Sequence, residues 1–491
     1  MGGRPLEEIF HRGEGPDLRG VPDLCGCTGV RGVLSLLRYP KADETPRLPE
    51  KPTTSQRPRR CYLGLVARAL GTGSVDVAII ADDLTGAADS GVQLARSGYR
   101  TAVAFQGSPV PPAEDLDAVS VDTDSRPLPT GFAAKRVAEA GHATREARVV
   151  YKKIDSTLRG PIAAEVSAAI GATRRRTALV APAFPSAGRT TEDGVQMVRG
   201  EPVHETKLAH DPRNPVSESH VPSLLSTAFN SIATVAAVRE AGPVREALKN
   251  NDCVVADAET DEDLEALVRA VPDPSSVLWV GSAGLARALG KVYPGPRDDT
   301  TLDATAPASG VLTVVGSVNE VARDQLRRLA REPDVEAVPL DTAALVAGSH
   351  EKPVTEAAEA VRAALPGNRG AVLYSVTGEG VEAAMRKGSL STDEVSGRVA
   401  DALAGVVAGL SGEELFDALV LTGGDTAVRV ARELGATGIL LDGEVEAGVP
   451  IGTLIGPRPY RIVTKAGGFG GSDTLRAAFR ALANPRKDQE A

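Results

Sequence analysis

Short apolar segments alternate with helical stretches along most of the chain from Val75 onwards. The first is VDVAIIADD, an uninterrupted apolar run that ends in two acids and therefore predicts a buried strand. The helical segment GAADSGVQLARSG follows, and then RTAVAF predicts a second strand. Further strands are predicted at DAVSVDTD, ARVVYKKID, RTALVAPAF, SIATVAAV, CVVADA and SSVLWVGS. Such alternation predicts a parallel sheet covered by helices on both faces.

A polar segment rich in Pro and Gly, PGPRDDTTLDATAPASG, separates this series from a second one. It covers residues 294–310 and lacks apolar periodicity, as interdomain linkers do. The second series comprises VLTVVGS, the helical NEVARDQLRRLARE, AVLYSVTGEG, a long helix around Ser396–Leu410, ALVLTGGDT and RIVTKAGGFGG. We therefore expect an α/β fold with two domains, residues 75–293 and 311–491. Each is built on a mostly parallel sheet flanked by helices, with a cleft between the domains.

Two segments do not follow the alternation. Residues 1–74 are rich in Arg, Pro, Gly and Glu and lack sustained periodicity, so we expect a disordered extension there. The stretch from Phe184 to about Pro215 is long and polar and shows no obvious helix or strand. Loops of this length in compact domains often carry function, although a flexible surface insertion would look the same.

Composition excludes several classes of function. The 491-residue chain has a formal net charge of −10 and only 3% aromatic residues. Neither a basic nucleic-acid surface nor a set of stacking platforms is therefore expected. The longest apolar runs, such as Ala402–Leu410, fall far short of the roughly 20 residues that span a bilayer. Residues 1–20 lack the apolar core of a secretory signal, and four cysteines form no disulfide framework, so we expect a cytoplasmic protein.

Charged residues follow two of the predicted strands in the first half, where ligands of open α/β sheets bind. Asp82 and Asp83 come directly after the first strand. One carboxylate there could take a proton from a substrate hydroxyl or hold a metal-bound water, or it could merely cap the next helix, as Thr85 could. Arg126 follows the third strand, and its guanidinium could grip a ligand carboxylate or pair with a neighbouring Asp.

The densest set of polar groups follows the strand VVYK, in the segment KKIDSTLRG. Its polar residues include Lys152, Lys153, Asp155, Ser156 and Arg159. Such a density of charge is costly to arrange unless an anion binds there. The alternative, a solvated run of charges, is disfavoured because apolar residues are interspersed and a strand and a helix flank the segment.

Three strand ends of the second half carry glycines. They are Gly316-Ser317, Gly423-Gly424-Asp425-Thr426 and Gly467-Gly468-Phe469-Gly470. Glycine lets backbone N–H groups approach phosphate oxygens, and a helix N-terminus favours negative charge. The second of these turns runs straight into the helical AVRVARELG, so the set predicts a phosphate-binding site. A G-x-G-x-x-A pattern at Gly378–Ala383 offers an alternative, a dinucleotide site.

Taken together, these motifs resemble the four-carbon acid sugar kinase family. The matching segments, in the family's order, are IADDLTGAAD, VDTDSR, YKKIDSTLRG, APAFPSAGRTT, HETKLAHDPRNPV, GSAGLA, LVLTGGDT and KAGGFGG. The resemblance covers the chain from Val75 to about Leu482. It implies an ATP-dependent, Mg²⁺-requiring kinase that phosphorylates threonate, erythronate or 3-oxo-tetronate, usually at the terminal hydroxyl. The first domain would hold the acid and the second the nucleotide.

The resemblance also implies which residues act. The sugar-acid site would be lined by Asp82 or Asp83, Arg126, Lys152, Lys153, Asp155, Ser156 and Arg159. The ATP site would be lined by Gly316, Ser317, Gly423, Gly424, Asp425, Thr426, Gly467, Gly468 and Gly470. One of the acids Asp82, Asp83 and Asp155 would be the base, and the sequence does not decide which. The metal ligands also stay open. The oligomeric state stays open too, and a homodimer is one possibility.

Several positions depart from the family's pattern. Asp425 stands where Glu is usual, Ala466 and Gly468 replace Ser and Asn, and His210 replaces a common Arg. Val318 and Asn319 follow Ser317 where Cys and Ser are usual. Two other functions stay open from the sequence: an NAD(P)-dependent hydroxy-acid dehydrogenase that uses the G-x-G-x-x-A pattern, and a non-enzymatic sugar-acid sensor.

Overall fold

The structure, a computed structural model, describes residues 75–108, 115–211, 214–238, 240–297, 307–317, 319–367, 369–376 and 390–484. The described residues belong to one compact unit. The predicted extension at residues 1–74, the pattern at Gly378–Ala383 and Val318 lie outside them. The predicted linker lies partly outside them as well, so the domain boundaries stay a prediction.

Strands occur at every predicted position. Those of the first half are β1 (Val77–Ala81), β2 (Thr101–Ala104), β3 (Ala118–Asp122), β4 (Val149–Lys153), β5 (Thr177–Ala181), β6 (Arg189–Glu192), β7 (Val195–Val198), β8 (Glu201–Pro202), β9 (Ile232–Val235), β10 (Cys253–Ala256) and β11 (Val277–Gly281). Those of the second half are β12 (Val311–Val315), β13 (Val335–Leu340), β14 (Gly370–Ser375), β15 (Ala418–Thr422), β16 (Gly438–Glu446), β17 (Val449–Ile455) and β18 (Arg461–Lys465).

Helices connect most of these strands. In the first half they are α1 (Leu84–Ala95), α2 (Thr130–Thr144), α3 (Ile162–Thr173), α4 (Val221–Leu225), α5 (Ala241–Asn250), α6 (Asp261–Ala270) and α7 (Ala283–Val292). In the second half they are α8 (Glu320–Leu329), α9 (Thr342–Val346), α10 (Glu351–Ala364), α11 (Thr392–Leu410), α12 (Gly424–Glu433) and α13 (Thr474–Ala483). No helix among the residues described is long and apolar enough to cross a membrane.

One large sheet carries both halves. The first half contributes eight parallel strands in the order β2-β3-β1-β4-β11-β5-β10-β9, and the second half begins with five parallel strands in the order β13-β14-β12-β15-β18. Every residue of β1 is buried, with Val77 and Ile79 packed in one apolar cluster and Ala78 and Ile80 in another. Uninterrupted apolar strands are thus covered on both faces, which confirms the predicted fold class.

A β-hairpin joins the two parallel regions. β17 pairs antiparallel with β18, β16 pairs antiparallel with β17, and β16 pairs antiparallel with β2 through Gly438 opposite Ala104 and Leu440 opposite Ala102. Helix α1 packs over this junction, where a methyl group added to Gly91 would lie 2.8 Å from Leu441. The two halves therefore share one continuous fifteen-stranded sheet, a connection that the sequence pattern did not predict.

The prediction of a long loop without elements after Phe184 was wrong. This stretch contains β6, β7 and β8, which form a separate antiparallel sheet. Two-residue turns connect the strands, with φ of 50° and 76° at Asp193-Gly194 and 53° and 84° at Arg199-Gly200. Positive φ at both central residues fits the right-handed twist of a tight hairpin, and Asp-Gly is a strong sequence signal for such a turn.

Candidate functional site

The charged groups of the first half meet at a switch in the strand order. β1 lies between β3 and β4, and all three strands run parallel. The chain places β2 and β3 on one side of β1 and β4 on the other, which opens a crevice beyond the strand ends. The segments that leave β1, β3 and β4 carry Asp82, Arg126 and Asp155.

Arg126 is paired with both acids that follow β1. Its Nε and Nη2 donate to the two oxygens of Asp82 at 2.7 and 3.0 Å, and its Nη1 and Nη2 donate to those of Asp83 at 2.8 and 2.7 Å. Asp83 also accepts from the Gly86 N–H at 2.9 Å and so caps α1, which Thr85 does not do. Burial raises the pKa of Asp82, but Arg126 and two nearby lysines outweigh burial and hold that pKa below its usual value.

Asp155 is held in the same way by Arg159. Its oxygens accept from Arg159 Nε at 2.8 Å and Nη2 at 3.1 Å, and it also accepts from the Thr157 hydroxyl. Arg126 Nη2 lies 4.0 Å away. Burial raises the pKa of Asp155, yet the guanidinium groups of Arg159 and Arg126 outweigh it, so that pKa lies well below its usual range. All three candidate bases therefore have carboxylates already engaged by guanidinium groups.

The two adjacent lysines of β4 point in opposite directions, because side chains alternate along a strand. Lys153 Nζ lies only 2.8 Å from the point where a methyl group on Gly86 would sit, which places it beside the start of α1. Lys152 instead forms an ion pair with Glu165 of α3 at 2.9 Å, with side chains 0% and 1% exposed. The structure thus brings Lys153 to the crevice and corrects the expectation for Lys152, which is a buried partner of Glu165.

The small sheet β6-β7-β8 supports the loop after β4, and the sequence analysis did not predict this sheet. Gln196 of β7 donates from Nε2 to the carbonyl of Ser156 at 2.8 Å, and its Oε1 accepts from the Thr191 hydroxyl at 2.7 Å. The hairpin turn is anchored by Asp257, which accepts from the Gly194 N–H at 2.8 Å. The loop after β4 is therefore fixed by an element that the Asp-Gly signal could have revealed.

The glycine turns of the second half also meet. β12, β15 and β18 are adjacent and parallel. A methyl group on Gly467 would lie 2.1 Å from Ser317 Oγ, and one on Gly316 would lie 2.1 Å from Thr426 Oγ1. A methyl group on Gly468 would lie 3.2 Å from Asn319 Nδ2. The three turns consequently pack close together, with no room for a side chain at Gly316 or Gly467.

Several features of these turns suit a phosphate-bearing ligand. Helices α8 and α12 begin here, and the first N–H groups of a helix lack intrahelical partners and attract anions. Lys465 is buried, and its Nζ donates to the carbonyls of Ala466 and Gly467 at 2.8 and 3.3 Å. Burial lowers the pKa of Lys465 to about 8, so a bound anion would stabilise its charged form.

The same region offers no protein-built metal cage. Within the part of the chain that the structure describes, no three His, Cys, Asp or Glu side chains are grouped so that they could hold a metal ion. Mg²⁺ usually keeps several waters and binds through one or two carboxylates together with substrate phosphates. The donor set therefore suits Mg²⁺ that arrives with a nucleotide, and Asp425 in the first turn of α12 is the carboxylate that the glycine turns provide.

The two groups face each other. The position of a methyl group on Gly424 lies 3.6 Å from Thr85 Oγ1, which joins the start of α12 to the start of α1. Arg432 of α12 donates to the carbonyl of Gln106 at 2.6 Å. Burial raises the pKa of Asp122 at the end of β3 to about 8, and the charge of Arg432 opposes this rise. The crevice of the first half and the glycine turns of the second thus border one cleft.

Replacing Gly467 by alanine is expected to weaken nucleotide binding. The added methyl group would overlap Ser317 and force the turns apart, and overpacking of about 1–3 kcal/mol corresponds to an affinity about tenfold lower. Calorimetric titration with ADP measures the change. Gly471→Ala is the matched control, because nothing lies within 4 Å of its added methyl group. Equal affinities for the two variants would contradict the assignment of these turns.

Two family models match successive parts of the chain. Residues 77–289 match the family model of a sugar-binding N-terminal domain, and residues 312–475 match that of a nucleotide-binding C-terminal domain. The first range contains the charged strand ends, and the second contains the three glycine turns up to Gly470.

Alignments between this chain and three relatives span almost the whole length of each relative. The D-threonate kinase of Salmonella typhimurium is 35% identical over 81% of this chain and 96% of its own length. The D-erythronate kinase of Heliobacterium modesticaldum is 34% identical over 81% and 95%. The 3-oxo-tetronate kinase of Methylobacterium radiotolerans is 32% identical over 84% and 100%. A crystal structure from Salmonella typhimurium LT2 shares the fold, with a TM-score of 0.71 and 22% identity over 83% of this chain and 99% of its own.

Proposed function

The chain belongs to the four-carbon acid sugar kinase family, and we propose that it transfers the γ-phosphoryl group of ATP to the terminal hydroxyl of a four-carbon acid sugar. It is a phosphotransferase with an alcohol group as acceptor. The observation that carries the proposal is the approach of Gly424 to Thr85, because it sets a glycine turn of the second half against the charged crevice of the first.

In this proposal the acid sugar lies beyond the ends of β1, β3 and β4, and ATP lies over the glycine turns with its phosphates at the N-termini of α8 and α12. Phosphoryl transfer has a loose transition state that needs alignment and charge neutralisation more than covalent catalysis. Asp425 would hold a Mg²⁺ ion brought by ATP, and the ion would supply neutralisation of the phosphate charge.

The charged crevice would align the acid sugar with the transferring phosphoryl group. Arg126 holds Asp82 and Asp83 in fixed positions at the start of α1, and Arg159 does the same for Asp155. Such rigid constellations cost no reorganisation when the reaction occurs. We assign Lys153 to the charge of the transferring phosphoryl group, because its ammonium lies beside the start of α1, the segment that Gly424 faces.

The other functions considered from the sequence gain no support. The pattern at Gly378–Ala383, on which a dehydrogenase rested, lies outside the described residues. The relatives named above are all kinases, which disfavours a non-enzymatic sensor. Their names differ in the acid phosphorylated, at identities between 32% and 35%, so we propose the class of four-carbon acids and leave its member to experiment.

A coupled assay of ADP formation tests this function. The purified full chain, ATP and Mg²⁺ are combined with D-threonate, D-erythronate or 3-oxo-tetronate, and a reaction without acid is the control. We expect ADP to form only when one of these acids is present. Absence of ADP with every acid, together with NAD(P)-dependent oxidation of any of them, would favour the dehydrogenase instead.

A further inference from the structure

The two guanidinium groups that follow β3 and β4 are already paired with carboxylates of the protein. Arg126 gives four hydrogen bonds to Asp82 and Asp83, and Arg159 is shared between Asp155 and Asp211. A guanidinium whose donors face protein carboxylates has little left for a ligand carboxylate. Groups with unused donors or acceptors beside these two guanidinium groups are therefore candidates for recognising the acid.

The buried side-chain atoms without a hydrogen-bond partner among the described residues include Asp89 Oδ1 on α1 and Arg189 Nε on β6. One is an acceptor without a donor, and the other is a donor without an acceptor. Leaving such groups unpaired in a protein interior is costly, so atoms of this kind often mark a place where a ligand or water binds.

Asp89 lies on the face of α1 that borders the cleft. It follows Thr85 by four residues and Gly86 by three, and residues at these spacings share one face of a helix. Thr85 on that face approaches Gly424, and Gly86 on that face contacts the end of Lys153. The Asp89 carboxylate therefore lies about one helical turn further along α1 than Thr85, on the same face of the helix.

Arg189 reaches the same region from the small sheet. It is the first residue of β6, where its backbone pairs with Phe184 just after β5. Its Nη1 donates to the carbonyl of Ala187. Arg189 and Thr191 lie two residues apart on β6 and therefore share one face of that strand. The Thr191 hydroxyl on this face donates to Gln196, which in turn donates to the carbonyl of Ser156 in the loop after β4. Burial lowers the pKa of Arg189, whereas the charges of Asp155 and Asp89 oppose this shift.

Burial and the neighbouring charges together disfavour the ionised form of the Asp89 carboxylate. Burial raises the pKa of Asp89 to about 7. Glu444 of β16 and Asp83 at the start of α1 reinforce the rise, whereas Lys153 of β4 and Arg189 of β6 oppose it. A hydroxyl that donates to this carboxylate would favour its ionised form and relieve the missing hydrogen bond.

We propose that Arg189 binds the carboxylate of the acid sugar and that Asp89 accepts a hydrogen bond from one of its hydroxyl groups. A hydroxy acid brings both complements, an anionic acceptor for the guanidinium and a neutral donor for the carboxylate. This inference rests on the proposed kinase function and adds a selection for acids over neutral polyols. A site built for a charged group rejects an analogue without it, because its own charge is then left unpaired.

Steady-state kinetics of Arg189→Met and Asp89→Asn test the proposal, with the acid that the wild-type chain uses best. We expect each to lower kcat/KM for the acid by about tenfold to a hundredfold, mainly through KM, as the loss of a hydrogen bond to a charged group does. The affinity for ADP should stay within about twofold, since the glycine turns are untouched. Arg148→Lys is the control, because Arg148 pairs with Asp76 at the opposite end of β4.

Two readouts separate binding from a merely structural effect. The wild type should prefer the acid over the tetritol, in which CH₂OH replaces the carboxylate, by about a hundredfold, and Arg189→Met should lose most of this preference. In the wild type, kcat/KM should fall below about pH 7 as Asp89 is protonated, and Asp89→Asn should flatten that limb.

Failure of the inference differs from failure of the function. A wild-type chain that forms no ADP with any acid refutes the kinase proposal itself. An active wild type whose Arg189→Met and Asp89→Asn variants keep KM for the acid and the preference over the tetritol refutes the inference. Should Arg189→Met not fold, as judged by circular dichroism and ADP affinity, Arg189→Lys keeps the charge and must still raise KM for the acid.

Discussion

Replacing Arg126 by methionine is expected to destabilise the protein by about 3–5 kcal/mol, because it leaves the buried carboxylate of Asp82 and the partly exposed carboxylate of Asp83 without their cation. Activity should fall by about a hundredfold or more, since misplacement of about 1 Å at a reacting centre has effects of this size. Urea unfolding and ADP formation measure the two changes. Arg148→Met is the control, because its exposed pair with Asp76 contributes at most about 1 kcal/mol.

The pH dependence of this variant has a definite sign. In the wild type the pKa of Asp82 is below its usual value, so the ionised carboxylate adds stability that is present above the usual pKa and is lost as pH falls through the folded value. Without Arg126, burial dominates and that pKa rises. The difference in stability between wild type and variant should therefore be larger at pH 8 than at pH 4, and a difference independent of pH would contradict the role of the ion pairs.

The second large effect is expected from the adjacent lysines of β4. Replacing Lys152 should lower stability, whereas replacing Lys153 should lower activity. Lys152→Met leaves Glu165 buried and unpaired and should cost about 3–5 kcal/mol of stability. Lys153→Met should fold but lose about 10²–10³-fold in kcat if Lys153 stabilises the transferring phosphoryl group. Urea unfolding and steady-state kinetics of the two variants separate these outcomes.

A double variant tests whether the unpaired charge of Glu165 causes the loss of stability in Lys152→Met. Removing both charges, as in Lys152→Met with Glu165→Gln, should restore most of the stability, because a buried ion pair replaced as a whole is often nearly neutral. Glutamine also keeps a partner for Ser125, whose hydroxyl donates to Glu165 at 2.6 Å. Equal losses of stability in Lys152→Met and Lys153→Met would refute the opposite orientation of the two side chains.

Much of the fold was predictable because parallel strands buried on both faces appear as uninterrupted apolar runs. The rule that ligands bind beyond strand ends was enough to select Asp82, Arg126 and Asp155, and the structure brings these three together. The glycine turns at Gly316 and Gly467 were found in the same way, since close backbone packing leaves no room for a side chain there.

Other features depend on distant pairing that no local pattern reveals. The hairpin β16–β17 lies between β2 and β18, and nothing near Gly438 indicates a partner more than 300 residues earlier. The alternation along β4 shows that Lys152 and Lys153 point to opposite sides, but only the packing of α3 decides which one is buried. From the sequence, Arg126 could equally well bind a ligand carboxylate or pair with a neighbouring Asp. Only the structure shows that it pairs with Asp82 and Asp83.

In the proposed arrangement, the acid sugar and the nucleotide occupy one cleft between Thr85 and Gly424. A bisubstrate analogue, in which the terminal oxygen of the acid sugar is joined to the phosphate chain of an adenosine polyphosphate, tests it directly by inhibition kinetics. We expect the analogue to compete with ATP and with the acid alike. Competition with only one of the two substrates would contradict it.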